Sequence, residues 1–344
     1  MRVPRRIIPG LLVCLGWTAV MSREVSASEA GSQALDPILH ARALNRASRL
    51  PRFRSLLVSI DGVRVEEQYF NGAGPSDRAN LKSASKSILS LLVGIALDQG
   101  FLQNVQDTIG PFFPQYLEKL DDSVKQEITI EDLLTMRSGL ESTSNRNYGR
   151  WVQSSDWVRH VLTRPMVDQP GGRMIYSTGN SHLLSALLTE STGMSTLDFA
   201  RRYLADPLGI RISPWMRDPQ GIYFGGNEMH LTPRAMLEIG EFYLNRGRVG
   251  DKQVVSASWI RESLTPRTRS SWSRHQYGYG WWIRTLAGFR VNYAWGYGGQ
   301  FIFLVPDLDL VVVATSSASP GRGRREHRQA IYELMEKDLL PAVK

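Results

Sequence analysis

The feature that most constrains this chain is a helix with no polar face. Ser83-Ala84-Ser85-Lys86-Ser87 leads directly into residues 88–97, which are apolar on nearly every side, and Gly100 is a natural stop. A helix of this kind has no surface to give to water, so it belongs at the centre of a domain with other elements packed around it. The chain can supply that packing. It has 344 residues, 42% apolar and 22% charged, an ordinary globular balance that excludes a disordered, collagen-like or polytopic membrane protein. One large α/β unit, or two sub-domains sharing a core, fits this length.

The flanking pattern predicts how the helix is enclosed. Residues 55–60 and 63–70 are strand-like and flank Asp61-Gly62, a pair that tolerates positive φ, so they predict a β-hairpin. Residues 105–265 read as helices and loops, including helices over 130–136, 180–189, 195–204 and 234–245. The last of these opens at Thr232-Pro233, where a missing N–H costs nothing. Strands return at 281–285, 289–294, 301–305 and 310–315, before a closing helix over 324–340. Strands at both ends and helices between them predict an α/β (α+β) fold. Its antiparallel sheet is built from both chain ends and flanked by helices, with a mostly helical sub-domain inserted over about 105–265.

The first residues read as a targeting segment. Arg2, Arg5 and Arg6 precede an apolar run over 7–21, which is short for a membrane span, and Val25-Ser26-Ala27 follows. This order predicts a signal peptide over 1–27, cleaved after Ala27 or alternatively after Ala30, with an uncleaved anchor as the competing reading. It implies a periplasmic or secreted protein with a lead-in over 28–50, containing one short helix, and a main domain over 51–344. The single cysteine, Cys14, leaves with the signal, which excludes a disulfide framework, a thiolate zinc site and an iron–sulfur cluster. The six histidines have no HExxH spacing, so neither metal nor cofactor is expected. The formal charge of +8 comes mostly from scattered arginines. The cluster Arg322, Arg324, Arg325 and Arg328 reads as a solvated face. No interleaving of basic and aromatic residues suggests nucleic acid. No membrane contact is expected after cleavage, and the oligomeric state is not legible.

Reactive chemistry is concentrated at the start of the apolar helix. Ser83 and Lys86 are three residues apart and so share a helix face. Burial favours the neutral form of a lysine, and a helix N-terminus acts in the same direction. A neutral amine beside a serine hydroxyl can accept its proton, and this is the only S-x-x-K in the chain. An α/β-hydrolase elbow is absent, because Gly179-Asn180-Ser181-His182-Leu183 fails at its last position.

Together with residues 133–140, 176–184, 225–233 and 295–313, in that order, this segment resembles the serine β-lactamase-like superfamily. The nearest branch is that of class C β-lactamases, their esterase relatives and 6-aminohexanoate-dimer hydrolases. The resemblance covers roughly residues 50–340. It implies that Tyr176 is the phenol which, with Lys86, shuttles the proton of Ser83 to the leaving group, its pKa lowered by the nearby ammonium. Thr178 stands where the family has an amide-binding Asn, and Asn180 is read either as its replacement or as a helix cap. The third motif is read at Tyr297-Gly298-Gly299, which lacks the cation that holds a substrate carboxylate. The resemblance places the oxyanion hole at the backbone N–H groups of Ser83 and Gln300. Thr178, Asn180, Tyr297, Gly298 and Gly299 are therefore the expected substrate contacts. The aromatic concentration of Tyr277, Tyr279, Trp281, Trp282 and Trp295 is read as core packing or as an apolar acyl pocket.

The expected activity is that of a secreted serine hydrolase acting through an acyl-enzyme on esters or small amides. Its in-class alternative is a β-lactamase or D,D-peptidase that holds a carboxylate with an arginine. The alternative from another class is a non-catalytic penicillin-binding-like module.

Overall fold

A computed structural model describes residues 35–118 and 122–343, so the predicted signal peptide lies outside the described residues. Helix α1 (Pro37–Ser48) is capped by Asp36, whose carboxylate accepts from the N–H groups of Ile38 and Leu39. It leads into the hairpin of β1 (Phe53–Ile60) and β2 (Val63–Tyr69), which turns at Asp61-Gly62 with both residues at positive φ. Two-residue strands β3 (Ala79–Asn80) and β4 (His230–Leu231), far apart in sequence, pair antiparallel. Strands β5 (Thr268–Arg269), β6 (Gln276–Tyr277), β7 (Trp282–Leu286), β8 (Phe289–Gly296), β9 (Gln300–Val305) and β10 (Leu310–Ser316) follow.

The main sheet has the order β2-β1-β10-β9-β8-β7-β6-β5, so the two chain ends meet where β1 pairs with β10. Its central strands are covered on both faces. In β9 the side chains alternate between two cores. Phe301, Phe303 and Val305 pack in the core that holds α1 and the closing helix α5 (Arg324–Leu334), whereas Ile302 and Leu304 join the core of the helical region. Helix α4 (Pro233–Leu244), capped by Thr232, covers β9 and β10 on that second side.

The apolar helix is α2 (Ser85–Asp98), buried from Ser85 to Ala96. Ile88, Leu91, Leu92, Val93 and Ile95 are 0% exposed. Each such side chain contributes roughly 2 kcal/mol, a reserve that offsets the cost of a lysine buried on the same helix. The other side of the site is set by α3 (Thr178–Thr192), which packs on α2. Two predicted helices differ in detail. The helix predicted over 195–204 is α-helical only over Thr196–Ala200 and then widens into a π turn, and α5 likewise passes into a π turn at Met335. The short strands β3 to β6 carry too few residues to show a period in sequence.

Candidate active site

Ser83 lies in a 3₁₀ turn (Lys82–Ala84) immediately before α2. The preceding residue, Lys82, has φ 49°, a conformation that side-chain-bearing residues seldom adopt, so the turn must be held in place. The supports converge on Lys82. Its N–H donates to Asn80 Oδ1 at 3.0 Å, its carbonyl accepts from Ser85 Oγ at 2.7 Å, and its ammonium meets Glu228 Oε1 at 2.5 Å. Asn80 Nδ2 donates to Glu228 Oε2 at 2.6 Å, closing the ring of contacts beside the β3–β4 pair.

One turn further on, Lys86 is 3% exposed, and its Nζ lies 3.1 Å from Ser83 Oγ, 2.8 Å from the Gly226 carbonyl and 3.4 Å from Thr178 Oγ1. No carboxylate pairs with it among the described residues. Burial pulls its pKa down to about 7. A neutral amine has two N–H donors and one lone pair. Gly226 O and Thr178 Oγ1 can take the donors, which leaves the lone pair for the Ser83 hydroxyl. Gly226 makes this approach possible. It sits at φ 77°, and a Cβ there would lie 2.8 Å from Lys86 Cγ.

The Tyr176 phenol faces Ser83, and its ring lies 5.2 Å from Lys86 Nζ. The expected lowering of its pKa is not found. Burial pushes the phenol up to about 12, outweighing the opposite pull of the nearby Ser83 hydroxyl. With Lys86 near neutrality there is no fixed ammonium to stabilise a phenolate. Tyr176 therefore stays protonated near neutral pH, and Lys86 is the group of the pair that can lose its proton there. The loop over 142–144 positions this segment: Ser142 Oγ donates to the Tyr176 carbonyl at 2.7 Å, and the Thr178 N–H donates to Ser144 Oγ at 2.9 Å.

The structure places four of the expected site groups in detail. Thr178 is 5% exposed, and its hydroxyl is engaged by Ser144 and Lys86. Asn180 is 0% exposed, and its Oδ1 accepts from Ser138 Oγ at 3.1 Å. Two residues along a helix rotate a side chain by roughly 200°, which turns Asn180 away from the side that Thr178 presents. Ser177, not Asn180, occupies the cap position. In the third-motif segment it is Gly296, rather than Gly298 or Gly299, that packs on the Ser83 turn, where a Cβ would lie 1.9 Å from Leu81 O and 3.2 Å from Ala84 N. Gly298 instead packs on Ser317 and Ala318, and Gly299 on Ser316, His327 and Ile331. Gln300 is wholly buried, and its side-chain amide binds the Ser316 backbone through both heteroatoms.

Tyr297 is 41% exposed, with the Arg324 guanidinium 4.5 Å over its ring. Tyr277, Tyr279, Trp281 and Trp282 are buried, Trp295 is half-buried, and Trp272, which the sequence did not single out, is exposed. Glu228, Ser144 and Gly296 were also missed. The first two act through neighbours that a one-dimensional pattern does not show. The third could have been found from the pairing of β8 with β9, because Gly296 faces Gln300 at the end of the ladder.

Comparison with known proteins identifies the family and the fold. The beta-lactamase family model matches residues 54–336, and the chain belongs to that family of hydrolases. It is 25% identical to the 6-aminohexanoate-dimer hydrolase of Paenarthrobacter ureafaciens over 87% of this chain and 82% of that one. Among solved structures it is similar to EstCE1, a hydrolase with promiscuous acyltransferase activity (TM-score 0.68, 18% identity, 86% of this chain and 96% of that one). It is also similar to the octameric penicillin-binding protein homologue of Pyrococcus abyssi (TM-score 0.67, 18% identity, 87% and 76%). At these identities the two structures establish the shared fold.

Proposed function

We propose that the chain is a serine hydrolase that cleaves esters or small amides through an acyl-enzyme on Ser83. The observation that carries this reading is the buried, acid-free contact of Lys86 Nζ with Ser83 Oγ at 3.1 Å. Lys86 takes the hydroxyl proton as Ser83 Oγ attacks the substrate carbonyl. Tyr176, protonated and in contact with Ser83, passes a proton to the leaving group and is reprotonated from Lys86. Water then repeats the sequence on the acyl-enzyme and releases the acid.

The oxyanion would be held by the N–H of Ser83 and, in place of Gln300, by the N–H of Tyr297. The turn that follows Gly296 is closed by the Gly299 N–H on the Gly296 carbonyl at 3.2 Å, which leaves the intervening Tyr297 N–H without a partner inside the turn. Export through a signal cleaved after Ala27 remains part of this reading on the order of residues 1–27 alone, and N-terminal sequencing of the mature protein tests it.

Turnover of p-nitrophenyl acetate and of a penicillin by purified protein, with Ser83→Ala beside it, tests the function. Ester hydrolysis that disappears in the variant is expected. Hydrolysis that survives Ser83→Ala would refute the assignment. Penicillin turnover exceeding ester turnover would move the protein to the β-lactamase alternative.

A further inference from the structure

One buried ionisable pair takes no part in the mechanism above. His182 and Asp218 are 0% and 5% exposed, and His182 Nε2 lies 3.0 Å from Asp218 Oδ2. The imidazole is enclosed by the rings of Trp151, Trp157 and Phe224, which meet it edge-on at 5.9, 5.3 and 6.0 Å. Its other nitrogen, Nδ1, accepts from the Gly225 N–H at 3.3 Å. The neighbouring Gly226 carbonyl accepts from Lys86 Nζ at 2.8 Å. A continuous path therefore runs from Asp218 through His182 and the Gly225–Gly226 pair to the amine beside Ser83.

The path fixes the tautomer of the imidazole. The Gly225 N–H is a donor, so Nδ1 presents its lone pair and the ring proton sits on Nε2, where Asp218 accepts it. The other oxygen of that carboxylate accepts from the N–H groups of Gln220 and Ile222 at 2.9 and 2.8 Å, so Asp218 is itself held.

The Gly225–Gly226 pair needs such an anchor. It has no side chain to fix it, and among the described residues its hydrogen bonds are those to His182 and Lys86. Packing brings the pair close to α3, because a Cβ on Gly225 would lie 2.1 Å from Ser181 O and one on Gly226 2.7 Å from Ser181 Cβ. Packing does not set which way its peptide groups point. A buried N–H without an acceptor is costly, so without Nδ1 the segment would turn towards another acceptor and carry the Gly226 carbonyl with it. His182 follows Thr178 by four residues and so shares its helix face. One face of α3 thus governs both oxygens that meet Lys86 besides Ser83, Thr178 Oγ1 directly and Gly226 O through His182.

We propose that His182, held by Asp218, is a positioning residue that orients the Gly226 carbonyl and, through it, aims the lone pair of Lys86 at Ser83. This rests on the hydrolase reading above. In this role the pair transfers no proton.

Two substitutions separate the two ring nitrogens. His182→Asn keeps an acceptor near the Nδ1 position and loses the reach to Asp218. His182→Gln keeps a donor near the Nε2 position and loses the acceptor for Gly225. Pre-steady-state kinetics with p-nitrophenyl acetate give the acylation rate constant and the apparent substrate affinity, normalised to sites titrated with a fluorophosphonate. Misfolded protein then does not enter the comparison. In His182→Gln the rate constant should fall at least about tenfold, with affinity within about twofold of wild type. In His182→Asn it should recover to within about threefold of wild type. A Gln variant no slower than the Asn variant would overturn the proposal, because the ring would then only fill space.

A second arm needs no turnover. NMR of the wild type should show the His182 ring proton on Nε2 and a bare Nδ1. The Gly225 amide should be protected from exchange in wild type and His182→Asn, and unprotected in His182→Gln. The Lys86 Cε resonance should move in the Gln variant and stay near its wild-type position in the Asn variant. A proton on Nδ1, or a Lys86 resonance unmoved in His182→Gln, would overturn the proposal. If these signals behave as expected but the wild type cleaves no ester, the hydrolase reading fails while the coupling of His182 to Lys86 stands.

Discussion

The two walls of the candidate site are built on different principles. The wall formed by α2 and α3 is a closed polar network in which Ser83, Lys86, Thr178, Ser144 and Gly226 satisfy one another. The wall formed by β8 and the turn after it approaches Ser83 through backbone alone, where Gly296 meets Leu81 and Ala84. On the first wall chemistry depends on which side chain is present. On the second it depends on the absence of one. Substitutions should therefore fail in different ways on the two sides.

The largest contrast is expected within one turn. Gly296→Ala forces a Cβ to 1.9 Å from Leu81 O and should lower kcat/KM on an ester at least about 100-fold by displacing the Ser83 turn. Gly298→Ala is also strained, at φ 90°, but its Cβ would meet Ser317 and Ala318. It should cost about 1–2 kcal/mol of stability and leave kcat/KM within roughly fivefold. Steady-state kinetics and urea unfolding of both variants measure this. Equal activity losses would erase the distinction between Gly296 and Gly298.

On the polar wall the pH profile separates base from acid. With Lys86 near 7 and Tyr176 near 12, kcat/KM should fall about tenfold per pH unit below about 7 and stay level from there into the alkaline range. A profile that rises only above pH 9 would mean that Lys86 is charged at neutrality.

The smallest expected effect is on stability. The folded pKa of Lys86 lies below its unfolded value of 10.5, so folding releases a proton between about pH 7 and 10.5, and stability from this group rises with pH across that window. Lys86→Met should abolish activity yet stabilise the fold by about 1–3 kcal/mol at pH 7, with the gain shrinking by pH 10. Thermal unfolding of both proteins at the two pH values measures it. A variant less stable than wild type at pH 7 would show that the amine's hydrogen bonds outweigh its desolvation.

The same division explains what could be read in one dimension. Helical spacing fixes geometry, so Ser83 and Lys86 could be paired from sequence and the central, all-apolar helix could be placed. The sheet from both chain ends was legible because its central strands are long and apolar. The turn motif was not, because three glycines within four residues fit the family pattern in more than one register, and only packing shows which one touches Ser83. Asn180 misled because proximity in sequence is not a shared helix face. The arginines over 322–328 read as solvated, yet Arg324 and Arg328 lie on Tyr297 and Trp295, rings contributed by a strand and turn more than 25 residues away. The Lys82–Glu228 contact links segments 146 residues apart and leaves no local trace.

The most direct test of the central claim is to trap the acyl-enzyme. Mature protein is mixed with a p-nitrophenyl ester at pH 7.5, quenched in acid within the burst and analysed by intact mass and peptide mapping. A single acyl adduct on the peptide carrying Ser83, absent in Ser83→Ala and strongly slowed in Lys86→Met, is predicted. Turnover without an adduct on Ser83, or an adduct on another residue, would contradict it.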